Sequence, residues 1–183
     1  MRKLLCALSL MSALVITLAV HAAAPANFAG TWTLDKSKSQ GLNPRQQNAE
    51  SVSWVITQTE KEITLEEKIT GGTPPAGGVP GGGPGGGGQG RGMGGGPRTF
   101  NLDGSETSGE TGRGKFVRKA TVSSDGKTID LVTKSSFQGQ DGAEMTLTSS
   151  DKLVLSADGK VLTVTRHLET PRGAQDSTLV FNK

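Results

Sequence analysis

Apolar and polar residues alternate with a period of two along most of the chain beyond residue 50, and this pattern predicts β-strands. After the first twenty-odd residues, no window of similar length repeats apolar positions at i, i+3 and i+4. The nearest candidate, Asn43–Ser51, has Pro44 near its start and almost no apolar face, so we expect one short helical turn there at most. The alternating runs are Val52–Ile56, Ile63–Ile69, Phe116–Val122, Ile129–Thr133, Met145–Leu147, Leu162–Leu168 and Leu179–Phe181.

Asp-Gly pairs at Asp103, Asp125 and Asp158 mark turns between these runs. Glycine supplies the positive φ angle that two-residue hairpin turns require. Consecutive hairpins of about eight to ten strands predict an all-β fold, an up-and-down antiparallel meander. A meander hides its exposed edges by closing into a barrel, so we predict a barrel.

One stretch, Gly71 to Pro97, interrupts the strand pattern with 16 glycines and 5 prolines in 27 residues. It has almost no apolar side chain to bury, so it cannot contribute a core. We therefore predict a disordered insertion, a solvated spacer, within a single domain spanning residues 23–183.

The first 22 residues have the pattern of a secretory signal peptide. Arg2 and Lys3 precede an apolar run from Leu4 to Val20, and small residues follow before Pro25. We expect cleavage before Ala23, a periplasmic or secreted protein, and no membrane span after cleavage. The alternative is an uncleaved anchor, because an apolar run of this length approaches the roughly 20 residues that span a bilayer.

The residues left after cleavage offer little for catalysis, metals or nucleic acid. Without Arg2 and Lys3, the 20 Lys and Arg fall to 18, against 17 Asp and Glu, too small an excess to attract a polyanion. The only cysteine, Cys6, is lost, and His167 is the single remaining imidazole, so a zinc site is excluded. Period two places His167 on the outer face. We predict neither a cofactor nor enzymatic activity.

The segment Gly109–Phe116 has the spacing of a phosphate-binding loop as far as Lys115. Phe116 stands where such a loop has the Ser or Thr that binds magnesium. Polar turn residues precede the segment and a strand follows it, whereas a phosphate-binding loop joins a strand to a helix. We therefore reject nucleotide binding.

Both ends of the domain resemble a known group of barrels. Phe28–Trp32 contains a Gly-x-Trp that is similar to the entry motif of the calycins, the lipocalin and fatty-acid-binding barrels, and FAGTWTLDKSKS resembles the opening of bacterial secreted lipocalin-like proteins. Ser177–Lys183 is similar to the closing strand of fatty-acid-binding barrels. The resemblance implies a barrel with Trp32 at its floor. Where that strand has an arginine for the ligand carboxylate, this chain has Leu179.

Arg118 and Arg166 have inward parity and could take the place of that arginine, or could stack as structural residues on the tryptophan of the barrel floor. Our functional hypothesis is a monomeric exported barrel that binds a small apolar or amphipathic molecule. One alternative is a barrel filled by its own side chains. The other is a protein-binding, inhibitory or envelope-associated module whose partner is an envelope protein. The predicted interior positions are Trp32, Trp54, Ile56, Leu65, Phe116, Arg118, Leu131, Met145, Leu147, Val164, Arg166 and Phe181, with Ile63 and Leu162 beside them.

Overall fold

A computed structural model describes residues 25–71, 96–111, 114–138 and 143–183 of the chain. The predicted signal peptide and most of the predicted Gly/Pro-rich insertion lie outside these ranges. Within them, no helix has both the length and the apolar character needed to cross a membrane.

The described residues form ten β-strands and one short α-helix, which confirms the predicted all-β class. The helix occupies part of Asn43–Ser51, where at most one turn was expected. In chain order the elements are β1 Gly30–Leu34, α1 Pro44–Asn48, β2 Ser51–Gln58, β3 Glu62–Thr70, β4 Arg98–Asn101, β5 Thr107–Thr111, β6 Gly114–Val122, β7 Thr128–Gln138, β8 Glu144–Leu155, β9 Val161–Thr170 and β10 Gly173–Asn182.

The strands form one antiparallel sheet in the order β4-β3-β2-β1-β10-β9-β8-β7-β6-β5. The predicted meander is confirmed, because each strand pairs with a sequence neighbour and β1 pairs with β10. The sheet curls into a nearly closed barrel. This confirms the predicted barrel, and the gap in it lies between β4 and β5, which have four and five residues and approach each other without pairing.

Two hairpin turns repeat the same set of hydrogen bonds. The Ser123 hydroxyl donates to Asp125 Oδ1 at 2.6 Å, and the Ser156 hydroxyl donates to Asp158 Oδ1 at the same distance. The following glycine has a φ of 70° in the first turn and 68° in the second. These aspartates therefore act in the turns, as the sequence predicted.

The barrel has two different halves. The closed half carries the β2–β3, β4–β5, β6–β7 and β8–β9 connections, and the open half carries α1 and the β5–β6, β7–β8 and β9–β10 connections. Trp32 is fully buried in the closed half, and its Nε1 donates to the Phe28 carbonyl at 2.8 Å. The core of this half is formed by Phe28, Trp32, Trp54, Ile56, Ile63, Leu65, Phe100, Ala120, Ile129, Leu131, Leu153, Leu162, Val164, Leu179 and Phe181.

Candidate ligand-binding site in the open half of the barrel

The inner face of the open half is formed by β6, β7, β8 and β9. Alternation from the buried Ala120 places Phe116 on this face, and the strand register sets it beside Ser135 and then Leu147. All three side chains are only partly buried. Further partly buried residues of the same face are Thr133, Phe137, Met145, Ser149 and Leu168. We call this set, with Phe116, Ser135 and Leu147, the inner wall.

The structure divides the predicted interior residues into three groups. Three apolar positions belong to the inner wall, where they keep exposed surface: Phe116, Met145 and Leu147. Seven are buried in the core and fill the barrel: Trp32, Trp54, Ile56, Leu65, Leu131, Val164 and Phe181. The two arginines, Arg118 and Arg166, lie between the core and the inner wall.

Arg166 is held by a buried carboxylate that the sequence analysis missed. Asp151 is only 3% exposed, and its Oδ1 accepts from Arg166 Nε at 2.6 Å while its Oδ2 accepts from Nη2 at 3.1 Å. Arg98 Nη1 reaches the same Oδ2 at 3.4 Å. Burial acts to raise the pKa of Asp151, but the two guanidinium groups outweigh it and lower the pKa below its usual value.

The ion cluster of Asp151, Arg98 and Arg166 contacts the core through Trp54. The guanidinium carbons of Arg98 and Arg166 lie 5.7 and 5.5 Å from the centre of the Trp54 ring, within the range of cation–π contacts. Arg166 therefore stacks on Trp54 and not on the predicted floor residue Trp32. Arg166 Nε and Nη2 both donate to Asp151, so this edge of the guanidinium group cannot also donate to a ligand carboxylate.

Helix α1 is tied to the same region by Gln46. Gln46 is 2% exposed, and its amide Nε2 donates to Glu67 Oε1 at 3.1 Å. Glu67 lies opposite Trp54 in the β2–β3 register, and its Oε1 also lies 3.5 Å from Trp54 Nε1. The side chain of Asn43 caps the helix by accepting from the Gln46 amide. The helix is therefore fixed over the open half through an inner carboxylate.

Arg118 stands apart from this cluster. Its guanidinium carbon lies 4.0 Å from the Phe116 ring centre and 6.0 Å from that of Phe100. The aromatic partner is thus phenylalanine, whereas the sequence analysis considered the floor tryptophan. The cation over the floor tryptophan is instead Lys183, whose Nζ lies 5.1 Å from the centre of the Trp32 ring.

The sequence analysis named neither Asp151 nor Arg98, but strand parity could have indicated Asp151. Inward parity along β8 runs from Met145 through Leu147 and Ser149 to Leu153, and so passes through Asp151. An aspartate on an otherwise inward row is a reason to look for buried cations. Arg98 could not be found this way, because it directly follows the predicted insertion and opens a strand of four residues.

The outer face carries the one histidine of the described residues. His167 is exposed, with Nδ1 2.6 Å from Asp176 Oδ1 and Nε2 3.5 Å from Glu169 Oε1. The hydrogen bond with Asp176 raises the pKa of His167. In the parts of the chain that the structure describes, no three His, Cys, Asp or Glu side chains are placed to hold a metal ion.

Two clefts lie outside the barrel and are alternatives to the inner wall as binding sites. A cleft of about 210 Å³ on the outside of β7, β8 and β9 is lined by residues that include Asp130, Lys152 and His167. A larger groove of about 1090 Å³ at the closed end is lined by residues that include Asn27, Lys61 and Val122.

Comparisons with known proteins show no family. No family model matches the sequence, and no curated protein is similar to it. Among solved structures, the zebrafish ileal bile acid-binding protein complexed with cholic acid is similar to the chain with a TM-score of 0.45 and 14% sequence identity, and the match covers 85% of this chain and 98% of that one. Identity at this level assigns no role to any residue of the site.

Proposed function

We propose that the chain is a binding protein that holds one small amphipathic molecule in the open half of its barrel. The observation that carries this proposal is the inner wall: its apolar side chains, among them Phe116, Met145 and Leu147, keep exposed surface. Apolar surface gathered on a concave face is typical of ligand sites.

The two halves define where the ligand would lie. The core residues of the closed half are buried against one another, so within the barrel we place the ligand beside the inner wall. Each 100 Å² of apolar surface covered there would contribute about 2.5 kcal/mol. Arg118, a partly buried cation at the base of the open half, favours a molecule that also has a polar group.

We propose binding and not catalysis. The single imidazole of the described residues, His167, is exposed on the outer face and contacts Asp176 and Glu169. It is therefore on the opposite side of the sheet from the inner wall, so it cannot serve as a general base there.

A pair of neighbouring positions on β7 tests the proposal. Ser135 is on the inner wall between Phe116 and Leu147, whereas Ser136 points to the other face. We expect Ser135→Trp to abolish one-to-one binding of decanoate measured by titration calorimetry, because the indole fills the open half, and Ser136→Trp to leave binding unchanged. Equal affinity in both variants would show that the ligand binds elsewhere.

We also propose that the protein is exported. The support is the sequence pattern of residues 1–22, a basic start followed by an apolar run and small residues. N-terminal sequencing of protein recovered outside the cytoplasm should begin at Ala23. Intact Met1 in that material would contradict both the cleavage and the compartment.

A further inference from the structure

The polarity of the inner wall changes with depth. The strand register aligns its side chains in rows across β6, β7 and β8, and the rows nearest the open end are apolar apart from one serine: Phe137 and Met145, then Phe116, Ser135 and Leu147. In the next row inward, Thr133 of β7 is directly opposite Ser149 of β8. We call these two residues the hydroxyl pair. An apolar stretch of the wall therefore ends at two neutral hydroxyl groups.

Both members of the hydroxyl pair have unused hydrogen-bonding capacity. Among the described residues, the Thr133 hydroxyl has no hydrogen-bond partner, and its oxygen is not one of the buried unpaired atoms. The Ser149 hydroxyl donates to Asp151 Oδ1 in a long hydrogen bond of 3.5 Å, which leaves the Ser149 oxygen able to accept. Both residues are only partly buried, so a molecule lying on the inner wall would cover them.

The hydroxyl pair suits a ligand group that both donates and accepts hydrogen bonds. A ligand hydroxyl can donate to the Ser149 oxygen and accept from the Thr133 hydroxyl. An ionised carboxylate has no proton to donate to Ser149. An ammonium group has protons but would lie close to the positive charge of Arg118, which is directly opposite Thr133 in the β6–β7 register. The neutral hydroxyl is therefore the group that fits best.

The same pair disfavours a ligand that is apolar at this depth. An apolar chain lying over Thr133 and Ser149 would displace water and leave polar groups without partners, which is unfavourable. Sites that hydrogen-bond a hydroxyl of their ligand discriminate strongly against analogues that lack it. The hydroxyl pair would thus select among amphiphiles that share the same apolar chain.

We infer that Thr133 and Ser149 form a subsite for the neutral head of the ligand, and that the ligand class is an alkyl chain ending in two or more hydroxyl groups. The head points inward to the hydroxyl pair, and the chain extends toward the open end past Phe116 and Leu147. This inference rests on the proposed function, because the chain of the amphiphile lies along the inner wall.

The test compares three probes that share a ten-carbon chain and differ in the head: decane-1,2-diol, decan-1-ol and decanoate. We expect titration calorimetry of the native protein to show the diol binding about five to ten times more tightly than decan-1-ol, because one additional neutral hydrogen bond contributes about that factor. Decanoate should bind more weakly than the diol. Tighter binding of decanoate than of the diol would overturn the inference, because an anionic head would then be preferred.

Variants test whether the preference for the diol depends on the hydroxyl pair. The double variant Thr133→Val/Ser149→Ala removes both hydroxyls with little change in side-chain volume, and its affinities for the diol and for decan-1-ol should become about equal. The matched control is Thr148→Val/Ser150→Ala, which removes two hydroxyls from the outward positions of β8 and should keep the preference of the native protein. Loss of the preference in both double variants would contradict the assignment to the inner face.

A purely structural role for the pair predicts a different result. If Ser149 only supports Asp151, the double variant should have a lower melting temperature and should bind all three probes more weakly by the same factor, so the preference for the diol would remain and the inference would be wrong. Thr133→Val alone leaves the contact between Ser149 and Asp151 in place and should lower the preference by about two- to threefold, so it serves as the test where the double variant does not fold.

The native protein separates this inference from the proposed function. Equal affinity for the diol and for decan-1-ol would overturn the hydroxyl subsite while leaving the proposed function intact. Absence of binding by every ten-carbon probe would overturn both.

Discussion

Asp151 is a buried carboxylate between two arginines. Its Oδ1 and Oδ2 receive three hydrogen bonds or ion contacts from Arg166 and Arg98. Such a pair adds little stability compared with an apolar replacement, but loss of one partner leaves the other charges buried and unpaired. The cluster therefore makes the fold sensitive to changes at this one position.

We expect Asp151→Asn to lower the free energy of unfolding by about 3–5 kcal/mol, measured by urea denaturation at neutral pH. The amide removes the charge that Arg98 and Arg166 share. Asp130→Asn is the control, because Asp130 is exposed on the outside of β7 and should be within about 0.5 kcal/mol of the native value. An Asp151→Asn protein as stable as this control would contradict the described ion cluster.

The pH dependence of the unfolding free energy should reflect the ionisation of Asp151. The pKa of Asp151 in the folded barrel lies below its usual value of 3.8, so its contribution is complete above about pH 4 and is lost as pH falls through the lowered pKa. The difference in unfolding free energy between the native protein and Asp151→Asn should shrink as pH falls from 7 toward 2. Turn aspartates titrate in both proteins, so they cancel in the difference. A difference that does not change with pH would show that Asp151 is not ionised in the folded state.

At the scale of single elements, the hairpins differ in how tightly the chain is packed around their glycines. Gly159, in the β8–β9 turn, has a φ of +68° and open space around it. Gly114, at the start of β6, has a φ of +152°, and a Cβ there would lie 1.9 Å from the Ser136 carbonyl oxygen. Both positions disfavour side chains, but only Gly114 is in contact with a neighbouring backbone.

This difference gives a matched pair of alanine substitutions. Gly159→Ala should cost about 1 kcal/mol, the strain of a positive φ alone. Gly114→Ala should cost about 2 kcal/mol more, because β6 must move away from β7. Thermal denaturation of the two variants measures the difference. Equal losses of stability would contradict the close β6–β7 approach.

The elements also show what sequence patterning could predict. Long strands such as β7 and β9 have alternating apolar rows, and the Asp-Gly pairs at Asp125 and Asp158 mark the turns that precede them, so the meander was predictable. Strands β4 and β5 have four and five residues, and the buried apolar side chain Phe100 is the one core residue that they contribute. With so little alternation, neither strand could be located from the sequence, although the barrel itself was predicted.

For the whole molecule, parity placed side chains on the inner face but did not tell which of them line open space. Phe116 and Phe181 have the same inward parity, yet Phe181 is fully buried and Phe116 keeps exposed surface. The distinction depends on the distance of each residue from the closed end, which is set by the pairing of all ten strands. For the same reason, the sequence could name Arg118 and Arg166 as candidates but could not show that Asp151 pairs with Arg166 and not with Arg118.

Amide chemical shifts of the protein during titration with decanoate would show whether the ligand lies against the inner wall. We expect saturable shifts with one-to-one stoichiometry at inner-wall positions such as Phe116, Ser135 and Leu147, and little change in the outer cleft or the groove at the closed end. Shifts confined to Asp130, Lys152 and His167, or to the groove around Lys61, would place the ligand outside the barrel. Either of those results, or the absence of any saturable shift, would contradict the account.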